Sequence, residues 1–551
     1  MKELIKKIIV DATKKAGYAI PRDFSIEVPP KSEMGDFATN MAMIVAGRDK
    51  ISPKEIAEKI VSNISKAKEI NKVEIAGPGF INIFIKESIY HKEIAEILKQ
   101  KEEYGKSNIG KNKKVLVEYI SANPTGPLHV GNARGGPIGE AAANLFSFLG
   151  YEVERDFYIN DIGGQIERFA ESLYYWLAVK EDKRIEFPEG GYPGDYIKEI
   201  STKIQKEKAE EIKALKDKSE IVELFKKEGL YYMVKQIRED SLLLGIKFDN
   251  WVNQSDFQHS GKTEQILKQL EETGATTKKE GALWFKNPSD PEFLDRESVL
   301  RKSDEKGTTT YFADDIAYHA DKFDRGFSLL VDVWGANHHG HIPRIRAALN
   351  ALHYTSDKLE IILYQYIRLK KSGKAFSMGK RLGNFVTLRQ VIESGVEPDA
   401  FKYFILSQNS NTPFDFDLAL ASDTSEKNPV FYVKYAHARI CSILAKAREV
   451  SGMKAEGVDF NLLKNKKEIA LYKELVKFPE LLTETVDNFQ IQTLPHYAHK
   501  IAGLFHDFYA NCQVLTEDKK LTASRLSLVL ATKYVLVNAL SICGIEAPEK
   551  M

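Results

Sequence analysis

His129, Gly131 and Asn132 have the residue types and spacing to hold a phosphate chain. They follow the β-branched run Val115-Leu116-Val117-Glu118-Tyr119-Ile120 and a turn broken by Asn123-Pro124 and Gly126-Pro127. An apolar-faced helical stretch, Ala133 to Leu149, comes next. A strand that turns into a helix start offers unpaired backbone N–H groups and the positive end of the helix dipole, which together favour an anion. The Gly-Lys-Ser/Thr ending of a Walker loop is absent, and an imidazole and a close-approach glycine stand in its place. Far downstream, Phe376-Ser377-Met378-Gly379-Lys380-Arg381-Leu382-Gly383-Asn384-Phe385 sets adjacent cations in a glycine-flanked loop. Such a loop can swing Lys380 onto a polyphosphate and stabilise charge developing on departing pyrophosphate. Alone, the first string reads as a surface histidine beside a helix-starting glycine and the second as a basic turn. In this order, the two point to polyphosphate chemistry.

An α/β core must position these residues. Ser328-Leu329-Leu330-Val331-Asp332-Val333-Trp334-Gly335 and Leu359 to Tyr366 read as buried strands. Strands alternating with helices imply a parallel sheet with ligands at its C-terminal ends. Ala282-Leu283-Trp284-Phe285 and Thr308-Thr309-Thr310-Tyr311-Phe312 read as strands leading back into that core. From about 180 to 280, Lys/Glu-rich helices (Tyr196 to Lys216, Glu220 to Gly229, Tyr231 to Leu244) read as a solvated insertion. Residues 1–108 read as a smaller α/β module. It has a helix through Leu4, Ile5, Ile8, Ile9 and Ala12, a strand over Phe24 to Val28, and a helical stretch opened by Gly35-Asp36-Phe37-Ala38-Thr39-Asn40. Two further strands flank Gly77-Pro78-Gly79. Residues 426–551 are helical without strands, with apolar stripes through Val433, Ala436, His437, Ile440, Leu444 and Ala447, then Leu471 to Phe489, Leu494 to Cys512 and Leu526 to Ile542. That bundle has its own apolar faces and reads as a separable unit.

At 551 residues the chain should hold several domains. Its 43% hydrophobic and 28% charged content is that of a soluble globular protein. A net charge of +1 leaves any attraction to nucleic acid to local patches. Cys441, Cys512 and Cys543 form no Cys-x-x-Cys pair and read as buried thiols in a reducing cytosol. No apolar run approaches membrane-spanning length and no secretory h-region follows the Lys-rich start, so a soluble intracellular protein without membrane association is expected.

The His-x-Gly-Asn step resembles the "HIGH" element of class I aminoacyl-tRNA synthetases. The longer string, from Glu118 through Asn123 to His129 and Asn132, is similar to arginyl-tRNA synthetases specifically. Gly35-Asp36-Phe37 and Gly77-Pro78-Gly79-Phe80 resemble that family's N-terminal addition, and Asn428-Pro429-Val430-Phe431-Tyr432-Val433-Lys434-Tyr435-Ala436-His437-Ala438-Arg439-Ile440 resembles the opening of its anticodon-binding domain. The likeness covers essentially the whole chain. It implies a Rossmann-type parallel-sheet catalytic core over 113–425, an N-terminal α/β domain over 1–108 contacting the outer corner of tRNA, and an all-α anticodon-binding bundle over 426–551. It further implies an arginine–tRNA ligase that makes arginyl-adenylate from L-arginine and ATP, then transfers arginine to tRNA(Arg), releasing AMP and pyrophosphate. The family tends to be monomeric and cytoplasmic. Mg²⁺ is expected with ATP, and no tightly bound metal or organic cofactor.

By the same resemblance, His129, Gly131, Asn132, Met378 and Lys380 contact ATP, with His129, Asn132 and Lys380 catalytic. Glu118 and Asp315 meet the guanidinium, a planar fork of donors that suits carboxylates. Tyr311 lies beside it, Asn123 and His129 touch the amino acid, and Asn337 or His338 orients substrate at the pocket rim. The chain departs from the family pattern in two places. Asn132 replaces the second histidine of HIGH and can still donate a hydrogen bond. Ser377 and Gly379 replace the first lysine and middle serine of "KMSKS", which bears on turnover more than identity.

Two other functions stay open. One is a related activating enzyme for another acid substrate, and Glu118 and Asp315 argue against an acidic amino acid. The other is a non-catalytic tRNA-binding paralogue, suggested by the altered loop and opposed by His129, Gly131 and Lys380. Asn337-His338-His339-Gly340-His341 also admits a metal reading, and Asn160-Asp161-Ile162-Gly163-Gly164-Gln165 either lines the cleft or serves as a turn.

Overall fold

The computed structural model describes residues 1–551 except 183, 288–297, 306, 372–373, 376–385 and 452–457. Its centre is a sheet of β1 (Lys114–Glu118), β2 (Glu152–Ile159), β3 (Asn250–Asn253), β4 (Leu329–Gly335) and β5 (Leu359–Tyr364). The strand order is β5-β4-β1-β2-β3 and every pair is parallel. Val115, Leu116 and Val117 are fully buried although their side chains alternate between faces. That is the unbroken apolar run required of a strand covered on both sides. Helix α1 (Gly135–Phe148) returns the chain from β1 to β2, burying Ala141, Ala142, Leu145 and Phe146. It comes close to β1 because Gly139 lacks a side chain; a Cβ there would lie 2.2 Å from Tyr119 Cγ. Strand order reverses between β1 and β4, so the segments leaving them diverge and open a crevice at their C-terminal ends.

The charged stretch after β2 differs from the sequence expectation in its limits. Helix α2 (Gly164–Lys180) precedes helices Asp195–Glu207 and Ala209–Ala214. Then α3 (Lys218–Leu243) runs 26 residues without a break at Gly229–Leu230, where two helices were expected. Gly229 is a packing residue, since a Cβ there would lie 2.4 Å from Leu173 Cδ1 of α2. The chain also rejoins the sheet earlier, as β3 lies inside the expected 180–280 insertion. Ala282–Phe285 is a strand, but it pairs antiparallel with Thr276–Lys279 and Val299–Arg301 in a separate small sheet. The strand expected at Thr308 to Phe312 is a helix start: α4 (Tyr311–Asp324) follows Thr310, and only Thr309 keeps a bridge, to Arg301. The helical spacing of the buried Phe312, Ala313, Ile316, Ala317 and Ala320 overrides the β-propensity of the threonines.

At the N-terminus, Ile26–Glu27, Phe37–Thr39, Phe80–Ile85 and Ile70–Ala76 form an antiparallel sheet in that order. The helical stretch expected from Gly35 starts at Met41, after a strand.

At the C-terminus, α5 (Pro429–Ser451), Lys466–Leu475, Phe478–Asn488, α6 (Thr493–Asn511) and α7 (Lys519–Ile542) form a bundle. The helix expected over Leu471 to Phe489 is two helices, with Pro479 in the first turn of the second. Contrary to the sequence reading, α7 is long and apolar enough to cross a membrane. Its Leu528, Val529, Val535, Leu536 and Leu540 are, however, buried inside the protein.

The bundle is not a separable unit. Asn538 Nδ2 donates to Tyr104 O at 2.9 Å, Asn144 Nδ2 donates to Ile542 O at 3.3 Å, and Lys473 pairs with Asp36 at 2.6 Å. One apolar core runs from Ile5 through Leu145 to Leu540.

Candidate active site

β1 ends at Glu118 and the chain then turns a strained corner, with φ of 67° at Ile120 and 38° at Ser121. A β-branched residue rarely takes that conformation, and the surroundings must hold it. Ile120 is buried against the glycine face of α1. Ser121 Oγ donates to Glu118 Oε1 at 2.8 Å and accepts the Tyr158 N–H at 3.0 Å. Beyond the corner, Asn123 Oδ1 accepts from Asn160 Nδ2 at 2.9 Å, and Asn123 Nδ2 donates to Gln165 Oε1 at 3.0 Å. The Asn160 to Gln165 string thus reaches the same edge of the crevice as Asn123.

His129 caps the short helix Val130–Ala133, its Nδ1 accepting the Asn132 N–H at 3.2 Å. An accepting Nδ1 puts the neutral ring's proton on Nε2, the tautomer that can donate to an anion. Burial holds the His129 pKa below the ordinary 6.5 and keeps the ring neutral. Gly131 sits where a Cβ would lie 3.0 Å from that ring.

Backbone bonds fasten this turn to the segment that follows the downstream loop. Val130 N–H donates to Val386 O at 3.0 Å, and Leu388 N–H donates to Leu128 O at 2.8 Å. Ser377, Met378, Gly379, Lys380 and Arg381 lie outside the described residues. The chain entering that loop is held by Arg134, which is fully buried. Its guanidinium donates to Gln365 O at 2.6 Å, Thr412 O at 3.0 Å and Asn409 O at 3.1 Å. Burial lowers its pKa to about 10.

The acidic side of the crevice is built on α4. Tyr311, Asp315, His319 and Lys322 recur at helical spacing, which puts them along one face. Lys322 is fully buried, with Nζ 2.5 Å from Glu118 Oε2 and 2.9 Å from Asp332 Oδ1. Burial disfavours this cation, but Asp332 and Glu118 outweigh it and raise its pKa to about 12. Burial pushes Glu118 above the usual carboxylate range against the pull of Lys322. His319 has Nε2 2.8 Å from Asp332 Oδ2 and Nδ1 2.7 Å from Asp315 O.

Asp315 is half-buried with Oδ2 3.1 Å from His341 Nε2, and Tyr311 is exposed at the mouth. Neighbouring Asp314 points elsewhere, accepting from Gln254, Gln258 and Thr263 at 2.7–2.9 Å. Asn337 and His338 are exposed on the turn Ala336–His341 that leaves β4. No motif points to Arg134 or Lys322, and His341 is in view only through the metal reading of the Asn337 to His341 string; for Lys322 the one signal is its spacing from Tyr311, Asp315 and His319, hidden by the strand reading of the threonine run.

A second cluster lies on the bundle. Tyr432 of α5 stacks on His499 of α6 with centroids 5.1 Å apart, and Tyr435 stacks on His506 at 5.9 Å. The Arg439 guanidinium lies 4.9 Å from the Tyr435 ring centre and 5.1 Å from that of Tyr509. This is a partly exposed aromatic and cationic surface of the kind that stacks on nucleobases.

Comparisons with known proteins agree with this architecture. The arginyl tRNA synthetase N-terminal domain family matches residues 3–85, the class I (R) tRNA synthetase catalytic domain 93–412, and the DALR anticodon binding domain 433–551. The chain is 41% identical to an arginine–tRNA ligase of Bacillus licheniformis, over 100% of this chain and 99% of the relative. It is 40% identical to arginine–tRNA ligase 1 of Halalkalibacterium halodurans over the same shares. The fold superposes on Thermus thermophilus arginyl-tRNA synthetase with a TM-score of 0.78 at 21% identity, over all of both chains. An α/β core with its strand-order reversal at β1, flanked by an N-terminal α/β domain and a DALR bundle, places the chain in the arginyl-tRNA synthetase family of class I.

Proposed function

We propose that the chain charges tRNA(Arg) with L-arginine. The arginine carboxylate attacks the α-phosphate of ATP, pyrophosphate leaves, and a hydroxyl at the tRNA 3′ end then displaces AMP. The observation that carries the reading is the pairing, at the ends of β1 and β4, of a neutral N-capping His129 with a braced acid group. His129, Gly131 and Asn132, with Met378 and Lys380 of the loop, serve the ATP phosphates. Chemistry of this kind is mostly positioning and electrostatics.

Asp315 and Glu118 meet the guanidinium beside Tyr311, Asn123 and His129 face the α-substituents, and Asn337 or His338 closes the rim. Mg²⁺ accompanies ATP to neutralise its phosphates. Residues 1–108 serve the outer corner of tRNA, 113–425 the chemistry and 426–551 the anticodon, with Tyr435, Arg439 and Tyr509 offering stacking surfaces. The protein acts as a cytoplasmic monomer, and burial of α7 within the bundle supports the absence of membrane association.

ATP-dependent attachment of each radiolabelled amino acid to total tRNA tests the reading, and arginine alone should be retained. ATP–pyrophosphate exchange with arginine should stay near background until tRNA is added, because in this family tRNA completes the site. Charging of a different amino acid overturns the substrate assignment, and robust exchange in RNA-free enzyme overturns the tRNA dependence.

A further inference from the structure

We propose that His341 is a positioning residue for arginine binding, its ring donating to one Asp315 oxygen and leaving the other, with the negative charge intact, to the guanidinium; this rests on the ligase reading above. His341 ends the string that admits a metal, yet among the described residues no three possible ligands gather in one place. Its Nε2 lies instead 3.1 Å from Asp315 Oδ2.

Asp315 is held differently from the other acids around the crevice. Glu118 has Lys322 and Ser121, Asp332 has Lys322 and His319, and Asp314 has Gln254, Gln258 and Thr263. Among the described residues the Asp315 carboxylate completes no hydrogen bond, and His341 is its one ion-pair neighbour. Asp315 is also half-buried, so it keeps room for a ligand. Such a carboxylate can turn about its own side chain unless that one neighbour fixes it.

His341 itself is fixed. It is 5% exposed and boxed by three rings, Phe312 edge-on at 5.5 Å, Trp334 at 5.7 Å and Tyr311 at 6.1 Å between centroids. The turn Ala336–His341 runs directly into the helix Ile342–Ala351, with Pro343 in its first turn. Within this box Nε2 has no other partner among the described residues, and it sits off the axis of a hydrogen bond to Oδ2. A buried N–H left unpaired costs free energy, so the small turn of Asp315 that completes the bond is favoured. That turn commits Oδ2 to His341 and leaves Oδ1 to the substrate. Histidine suits the task because a neutral imidazole offers one N–H and no charge. A lysine or arginine in its place would pair with Asp315 and compete with the guanidinium.

The test is steady-state charging by the full-length enzyme at saturating tRNA(Arg). His341→Phe keeps a ring in the box and removes the N–H. It should raise the arginine KM about 10-fold, the scale of one hydrogen bond to a charged group. The ATP KM should stay within about 2-fold and kcat within about 3-fold. His341→Gln, whose amide nitrogen falls near the place of Nε2, should recover most of the arginine KM. In an Asp315→Asn background, adding His341→Phe should raise the arginine KM by less than about 2-fold further, because residues that act as one unit are not additive. Should the phenylalanine variant fail to fold, His341→Asn, a donor too short to reach Oδ2, carries the same two expectations. An unchanged arginine KM without the Nε2 donor overturns the assignment. So does a loss that persists in full beside Asp315→Asn, since His341 would then act without Asp315. Wild-type enzyme separates the two readings: failure to charge arginine overturns the ligase reading, and with charging present the variants bear on His341 alone.

Discussion

Lys322 pulls against the burial that raises the Glu118 pKa at 5% exposure. One buried cation sits between two acids, and the Ser121 hydroxyl takes the remaining Glu118 oxygen. Removing one member of a buried ion pair costs roughly 3–5 kcal/mol because the partner stays behind unpaired. Lys322→Met should therefore lower Tm clearly and raise the arginine KM at least ~10-fold, while the ATP KM stays within ~2-fold. Lys322→Arg should recover part of the arginine affinity. An unchanged arginine KM in a destabilised Lys322→Met enzyme would leave Lys322 as packing alone. His129 gives a second test at this scale. Its folded pKa is lowered, so protons bind more readily to the unfolded chain; its contribution to stability is whole above 6.5 and is lost as pH falls below that value. Long-range ¹H–¹⁵N spectra of the imidazole should show the Nε2–H tautomer persisting below pH 6.5, and an Nδ1–H ring would contradict the cap. His129, Asn123 and Asp315 could be singled out as candidates because their types and spacing sit inside strings, whereas Lys322 could not, since a lysine on a helix reads as solvated until its partners are known.

At the scale of elements, the joint between β1 and α1 sets how far Glu118 stands from His129. Both elements were legible, β1 from its apolar run and α1 from its 3.6-residue stripe. The strained corner at Ile120 and the strap from Leu128–Val130 to Val386–Leu388 were not. Backbone bonds between segments far apart in sequence leave no side-chain pattern, and a positive φ at isoleucine runs against its preference. Gly139 tests the joint. Gly139→Ala places a methyl 2.2 Å from Tyr119 Cγ, so the helix or the ring must move. Overpacking of this kind costs roughly 1–3 kcal/mol, and kcat/KM should fall with Tm as α1 lifts from β1. Gly47→Ala is the opposite case: Gly47 lies within the helix Met41–Asp49, and the added methyl would meet nothing within 4 Å. It should raise stability by roughly 0.5–1 kcal/mol through helix propensity. Equal Tm changes in the two variants would show that the close approach at Gly139 is not tight.

For the whole molecule, the order of three units was legible, because composition and periodicity change near residues 108 and 426. Their joining was not, since periodicity shows that a helix has an apolar face but not what covers it. The bundle covers much of the rest. Phe478 lies against Tyr104 and Phe148 with ring centroids 6.5 and 6.3 Å apart, and α7 packs on α1 and on the helix Glu87–Gln100. Removing residues 429–551 would therefore bare Tyr104, Ile94, Ile97, Leu145 and Phe146, all now buried. A contiguous apolar patch of that extent drives aggregation. The truncated chain should be recovered aggregated, or as a species that binds a hydrophobic dye and melts without a cooperative transition, whereas the full chain should melt as one unit. A milder variant reads the same interface without dismantling it. Asn538→Ala leaves the Tyr104 carbonyl buried without its 2.9 Å donor, a loss of about 1–3 kcal/mol. Tm should drop accordingly while kcat for charging holds, because Asn538 and Tyr104 stand apart from the crevice. A truncated chain that stays soluble and melts cooperatively near the full-length Tm would mean that the catalytic core stands alone and the shared apolar core contributes little.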